Sequence, residues 1–119
     1  MATQIVILND DYIKIDDSYH IDWADKGNAM PALPDTVHCV LWNNLPGQNE
    51  IQSKDPSTGM MTGNTNLNST SDAVGSTTVA ALLTWAETRK SEIEAAITAH
   101  EAAVEAGTST PGQTWRDYL

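Results

Sequence analysis

Thirty consecutive residues, Thr77 to Ala106, contain neither glycine nor proline and are rich in Ala and Glu. Glycine and proline are the residues that most oppose helix, and Ala and Glu are among the best helix formers. The run therefore specifies one long α-helix, roughly 45 Å from end to end at ~1.5 Å per residue. Ser76 or Thr77 offers a hydroxyl for an N-cap, and Gly107 offers a left-handed stop.

Along this helix Val79, Leu83, Ala86, Lys90, Ile93, Ile97, His100 and Val104 recur with 4-3-4-3-4-3-4 spacing. That is an a/d seam on one face. Lys90 and His100 interrupt it, and a polar seam residue can fix register or oligomer state. The stripe has two readings. It packs on the rest of its own chain as an amphipathic helix, or it pairs with another chain, in a coiled-coil homo-oligomer or on a larger partner. A helix this long would overhang a small head, which favours the second. The expected interface is then Val79, Leu83, Ala86, Ile93, Ile97 and Val104. Trp85 lies off the seam, placed to dock the helix onto the head. In the tail after Gly107, Trp115 and Tyr118 flank Arg116, residue types enriched at binding hot spots. Folding of the tail onto its own domain is the competing reading.

The first sixty residues read as short strands. Gln4–Leu8 is a β-branched apolar run, and Asn9-Asp10-Asp11 has turn chemistry. Tyr12–Ile15 returns antiparallel, and a third strand follows at Tyr19–Trp23. Residues 25–34 form a loop containing Pro31 and Pro34. In Thr36–Trp42 both alternating faces are largely apolar, which predicts a central strand covered on both sides. Asn43–Gly47 is a turn, Glu50–Lys54 a strand and Asp55–Gly59 another turn. Met60-Met61 begins a short edge strand. Residues 63–76 are small and polar, with too little to bury, and read as a flexible linker. The expected organisation is a β head (1–62), a linker (63–76), a helix (77–107) and a tail (108–119). The fold class is α+β: a small antiparallel sheet of four to six strands and one long C-terminal amphipathic helix.

Charge and motif content narrow the function. The formal net charge is −10, from 16 acidic and six basic residues. Nucleic-acid phosphates and anionic membrane surfaces call for the opposite sign, so neither is an expected partner. Cys39 is the only cysteine, so no disulfide can form within the chain, and a free thiol fits a reducing compartment. The N-terminal segment lacks the basic region and apolar stretch of a signal peptide, and no segment reaches the ~20 apolar residues of a membrane span. Synthesis in a cytoplasm is expected.

Residues 10–25 hold six aspartates and one lysine. A calcium loop starting at Asp22 would place Ala24 and Lys26 at ligand positions, so that motif fails and a solvated acidic hairpin is expected. His20, His38, Cys39 and His100 lack zinc-site spacing. There is no nucleophile elbow, phosphate loop or dinucleotide fingerprint. The expectation is no catalytic residue, no metal and no cofactor.

Val37-His38-Cys39-Val40-Leu41-Trp42, a turn with Gly47, and Glu50-Ile51 together resemble small tail-associated proteins encoded by bacteriophages. In those proteins a His-x-x-x-Trp-like strand leads through a glycine turn into a Glu-Ile strand. An Asn-containing linker, here Asn64, Asn66 and Asn68, then precedes an Ala- and Glu-rich helix bearing a tryptophan, here Trp85. The segment from Leu82 to Gly107, with Thr114-Trp115-Arg116-Asp117-Tyr118-Leu119, also resembles tail-fibre assembly proteins. Those usually have a second helix, for which this sequence has no counterpart. The resemblance implies a non-enzymatic protein that binds a tail fibre or baseplate component, as an assembly chaperone or as a permanent virion subunit. The charge leaves a second reading, an acidic module that captures a basic partner.

Overall fold

The computed structural model describes residues 3–43, 45 and 47–119. Asn44 and Pro46 of the expected turn at 43–47 lie outside the described residues. The strands are β1 (Ile5–Leu8), β2 (Tyr12–Ile15), β3 (Tyr19–Asp22), β4 (Val37–Trp42), β5 (Glu50–Lys54), β6 (Met61–Asn66), β7 (Ala73–Val74) and β8 (Thr77–Thr78). The helix α1 spans Val79–Ala106, and single 3-10 turns occupy Trp23–Lys26 and Trp115–Tyr118. Six strands form one antiparallel sheet in the order β3-β2-β1-β4-β5-β6, and β7 and β8 pair separately. The class is α+β, a β head followed by one long helix.

Local chemistry explains the hairpins. Asp10 and Asp16 stand at the β1–β2 and β2–β3 turns with φ of 64° and 49°. Aspartate tolerates that left-handed region better than most residues because its short side chain can bond locally. The Asp16 carboxylate instead reaches across the sheet's end to the start of the chain, accepting from the Thr3 and Gln4 amides at 2.9 and 3.0 Å. Alternation then sends Ile5, Ile7, Ile13, Ile15 and Ile21 to one face, where all five are buried.

β4 departs from simple alternation. A bulge between Val37 and Cys39 inserts one residue opposite β5. Val37, Val40 and Trp42 consequently all enter the core. Double coverage was expected for this strand; the inner face is closed, whereas on the outer face Cys39 is buried and Leu41 is not. Across the outer face Val6, Leu8, Lys14 and Leu41 remain partly exposed.

The linker expectation is overturned. Met61–Asn66 pairs along β5 as the sixth strand. Leu67 and Val74, the only larger apolar residues of 63–76, are 2% and 0% exposed. The β7–β8 turn presses on Pro34 so closely that a Cβ on Gly75 would stand 2.5 Å from the Pro34 ring. Residues 63–76 thus belong to the head. The helix N-cap falls on Thr78, whose hydroxyl accepts from the Ala81 amide at 3.2 Å, because Ser76 and Thr77 are taken up by the hairpin. Gly107 ends the helix at φ 71°, as expected.

The helix lies on the sheet's inner face. Val79, Leu82, Leu83, Trp85, Ala86 and Ile93 join the sheet's isoleucines in one continuous core. Of the two readings of the seam, packing on its own head is the one observed. Each fully buried Ile or Leu contributes about 1.5–3 kcal/mol over its exposed state, so the helix and head form one cooperative unit. Ile93 is 0% exposed and Val104 is 54% exposed, although both lie on the same seam. Ile93→Ala is expected to destabilise the whole chain by about 2–5 kcal/mol, and Val104→Ala by less than about 0.5 kcal/mol. Urea unfolding followed by circular dichroism checks this, and equal midpoints for the two variants would refute the packing.

Candidate interaction surface

Of the residues expected to meet a partner, Val79, Leu83, Ala86 and Ile93 are buried inside the chain's own core, where they join the sheet's apolar face. They cannot serve as an open interface. Ile97 and Trp115 are partly buried and pack against the same core. Tyr118 sits beside His100 with ring centroids 5.5 Å apart. Val104 alone of the eight is a free apolar side chain, near the helix end. The tail is therefore folded back on its own domain, with its 3-10 turn packed against α1. Thr114 and Asp117 form a reciprocal capping box at the start of that turn.

Polar contacts anchor the helix and tail to the head. Trp85 Nε1 donates to the Lys26 carbonyl at 3.1 Å, which confirms its docking role. Arg89 Nε donates to the Asp25 carbonyl at 2.7 Å, and Arg116 Nε donates to the Asp25 carboxylate at 2.8 Å. The Arg116 guanidinium also lies 4.4 Å from the Trp115 ring centroid. Lys90 Nζ meets Asp16 at 3.0 Å. The acidic hairpin is thus only partly solvated. Asp16 and Asp25 are consumed by cations of the helix and tail, whereas Asp17 and Asp22 keep 83% and 82% of their side chains exposed.

Burial pushes the Asp16 carboxyl up, but hydrogen bonds from Thr3, Lys90 and Gln4, with the Lys90 charge, outweigh it and hold it below the usual carboxylate range. The hydrogen bond to Asp16 raises Lys90 in turn, against burial. Burial raises the Tyr19 phenol, and the nearby Glu94 adds to this. Cys39 is 5% exposed, and burial, reinforced by Glu50, raises its thiol and keeps it a poor nucleophile. Among the described residues no three His, Cys, Asp or Glu side chains gather where a metal could bind. The clefts are small. One of 180 Å³ lies between the Lys26–Ala29 segment and Trp85, Thr88 and Arg89 of the helix.

The surface left free lies at the other end of the sheet. All six residues of β6 are exposed. At the β5–β6 tip Met60 is 70% exposed and Met61 51% exposed. Sequence reasoning placed the start of a short edge strand at Met60-Met61 and read a linker from residue 63 onward. The adjacent methionines before a Gly/Asn/Thr stretch were the available signal. No family model, curated protein or solved structure matches this chain. No helix among the described residues is long and apolar enough to cross a membrane.

The Asp16 anchor has a pH signature. A carboxyl depressed in the folded state contributes stability that is present above its unfolded value, about 4, and is lost as pH falls through the folded value. Asp16→Asn keeps a residue that tolerates positive φ but removes the charge. The variant should be less stable than the parent at pH 7, and the gap should narrow by pH 3. Urea midpoints at both pH values measure it. A gap independent of pH would mean that the Asp16 charge carries none of the effect.

Proposed function

We propose that this chain is a non-enzymatic protein-interaction subunit that binds a tail fibre or baseplate component of a bacteriophage, as an assembly chaperone or as a permanent small subunit of the particle. The resemblance of Val37–Trp42, Glu50-Ile51 and the Trp85 helix supports the tail setting. The observation that carries the interaction reading is the β5–β6 hairpin. Its outer strand is exposed throughout, and two methionines stand bare at its tip. Methionine is flexible and polarisable, which suits it to an adaptable apolar contact. The docking surface therefore moves from the helix seam to this hairpin.

A second reading keeps a specific observation behind it. Asp17 and Asp22, though within ion-pair distance of Lys14 and Arg116, keep most of their side chains exposed on a chain of net charge −10, as an acidic module for a basic partner would require. Salt separates the two, since exposed charges are screened within about 8–10 Å at physiological ionic strength and apolar contact is not.

The test is co-expression with the fibre and baseplate proteins encoded beside this chain. A stable complex that resists 0.5 M salt (~3–5 Å screening length) is expected. Met60→Asp with Met61→Asp should weaken it at least about tenfold (~1.4 kcal/mol) without moving the melting temperature, since both side chains are exposed. Undiminished binding by the double variant would remove the hairpin from the interface. A complex that dissolves with salt and ignores the methionines would favour the acidic module.

A further inference from the structure

β6 is the outermost strand of the large sheet, and its sequence, Met-Thr-Gly-Asn-Thr-Asn, holds neither a charge nor a proline. Charge and proline are two of the devices by which natural sheets keep an edge from accepting another strand. A third device, a bulge, is present, but it falls between Ser53 and Lys54 and disturbs only the tip end of β6. Beyond it the register is regular: Ser53 with Gly63, Gln52 with Asn64, Ile51 with Thr65 and Glu50 with Asn66. Just past the strand, the Leu67 amide donates to the Asn49 carbonyl at 2.8 Å. Bonded and non-bonded pairs alternate in an antiparallel ladder. Thr65 and Gly63 therefore turn their backbone groups toward β5, and Asn64 and Asn66 turn theirs to the open edge. The other edge, β3, is different. It carries exposed His20 and Asp22, and Asp22 approaches Arg116 at 4.0 Å.

We infer that the open edge of β6 accepts an extended strand from a partner protein, with an uncharged core and basic flanks, as a seventh strand of the sheet. The inference rests on the interaction reading above and names its chemistry. Main-chain bonds to Asn64 and Asn66 give the pairing, and Met60 and Met61 meet the partner's side chains at the tip. Charge decides against a second copy. Each chain carries −10, and four of its six basic residues, Lys14, Arg89, Lys90 and Arg116, are already in ion pairs within the chain. Two copies meeting edge to edge would repel. Basic flanks on a partner strand would lie beyond β6, about 10 Å from Glu50 at one end of β5 and Asp55 just beyond the other, which is about one screening length.

The experiment uses the full chain, isotope-labelled, with a synthetic peptide that has a Thr-Val-Thr-Val-Thr core and two lysines at each end. Amide shifts and hydrogen exchange are read residue by residue. The expected result is saturable binding, with at least tenfold slower exchange at the Asn64 and Asn66 amides. The same core flanked by glutamates should bind at least tenfold more weakly. Asn66→Pro removes one outward N–H and no inward one, so it should abolish binding while Thr65 and Leu67 stay protected. Shifts confined to other surfaces, or no saturable binding, would overturn the inference. So would slow exchange at Asn64 and Asn66 in the free protein together with a dimeric mass, which would give the edge to a second copy. If no peptide occupies β6 yet the Met60/Met61 variant still loses its tail partner, strand addition fails and the interaction reading stands. If the peptide binds and no tail protein does, the reverse holds.

Discussion

A sheet with one strongly apolar face must cover that face, and among the described residues α1 is the one long element that does so. Ile5, Ile7, Ile13, Ile15, Ile21, Val40, Trp42 and Ile51 line the inner side and are 9% exposed or less. The chain contains no phenylalanine, so branched aliphatics and tryptophan make up the core volume. Leaving that layer open would forfeit about 1.5–3 kcal/mol per large side chain, more than any plausible gain from a coiled-coil seam elsewhere. The helix contributes a broad stripe to match. Leu82, Trp85 and Ala96 are buried alongside the a/d positions, which is the wide apolar face of a globular helix and not the narrow seam of a coiled coil.

Apolar burial sets how strongly the helix is held, and polar contacts set where. Hydrogen bonds of this kind contribute only about 0.5–1.5 kcal/mol net, and exposed ion pairs less. Their directionality matters more. Trp85 and Arg89, one turn apart, both donate to carbonyls of the Trp23–Lys26 turn, which fixes the helix's rotation and axial position. Asp25 then ties three elements at once, its carbonyl to Arg89 and its carboxylate to Arg116 of the tail. Its side chain is only 10% exposed, so removing Arg116 would leave a nearly buried charge without its partner.

Much of the head could be read from the sequence. Period-2 apolar runs bounded by Asn, Asp, Gly and Pro placed β1, β2, β4 and β5 to within a residue, because for these strands local alternation and burial agree. β6 was expected only as a short edge strand beginning at Met60-Met61; its continuation to Asn66 was read as linker because both of its faces are exposed, so it carries no alternation and owes its structure to pairing with β5. Leu67 and Val74 were visible as the two larger apolar residues in a polar stretch, and both proved to be core. Trp23 turned from a strand end into a 3-10 turn. The Asp25–Arg116 contact joins residues 91 apart in the chain, a distance over which no local pattern operates.

Lys90 and His100 show why the seam misled. Polar residues at such positions can specify register between chains. Here each addresses a partner within its own chain, Lys90 reaching Asp16 in the β2–β3 turn and His100 meeting Tyr118 of the returning tail. Interruptions of that kind are what a helix needs when its two halves face different neighbours, a sheet first and a tail afterwards. Once core, turns and tail have claimed most of the helix face, the groups still without neighbours include main-chain groups on the β6 edge and the two methionines at its tip, which are the adjacent pair among the exposed apolar side chains. The open edge of β6 is thus a place where main-chain hydrogen bonds can still be made; such bonds are independent of sequence, so any selectivity there would come from the charges and side chains beside it.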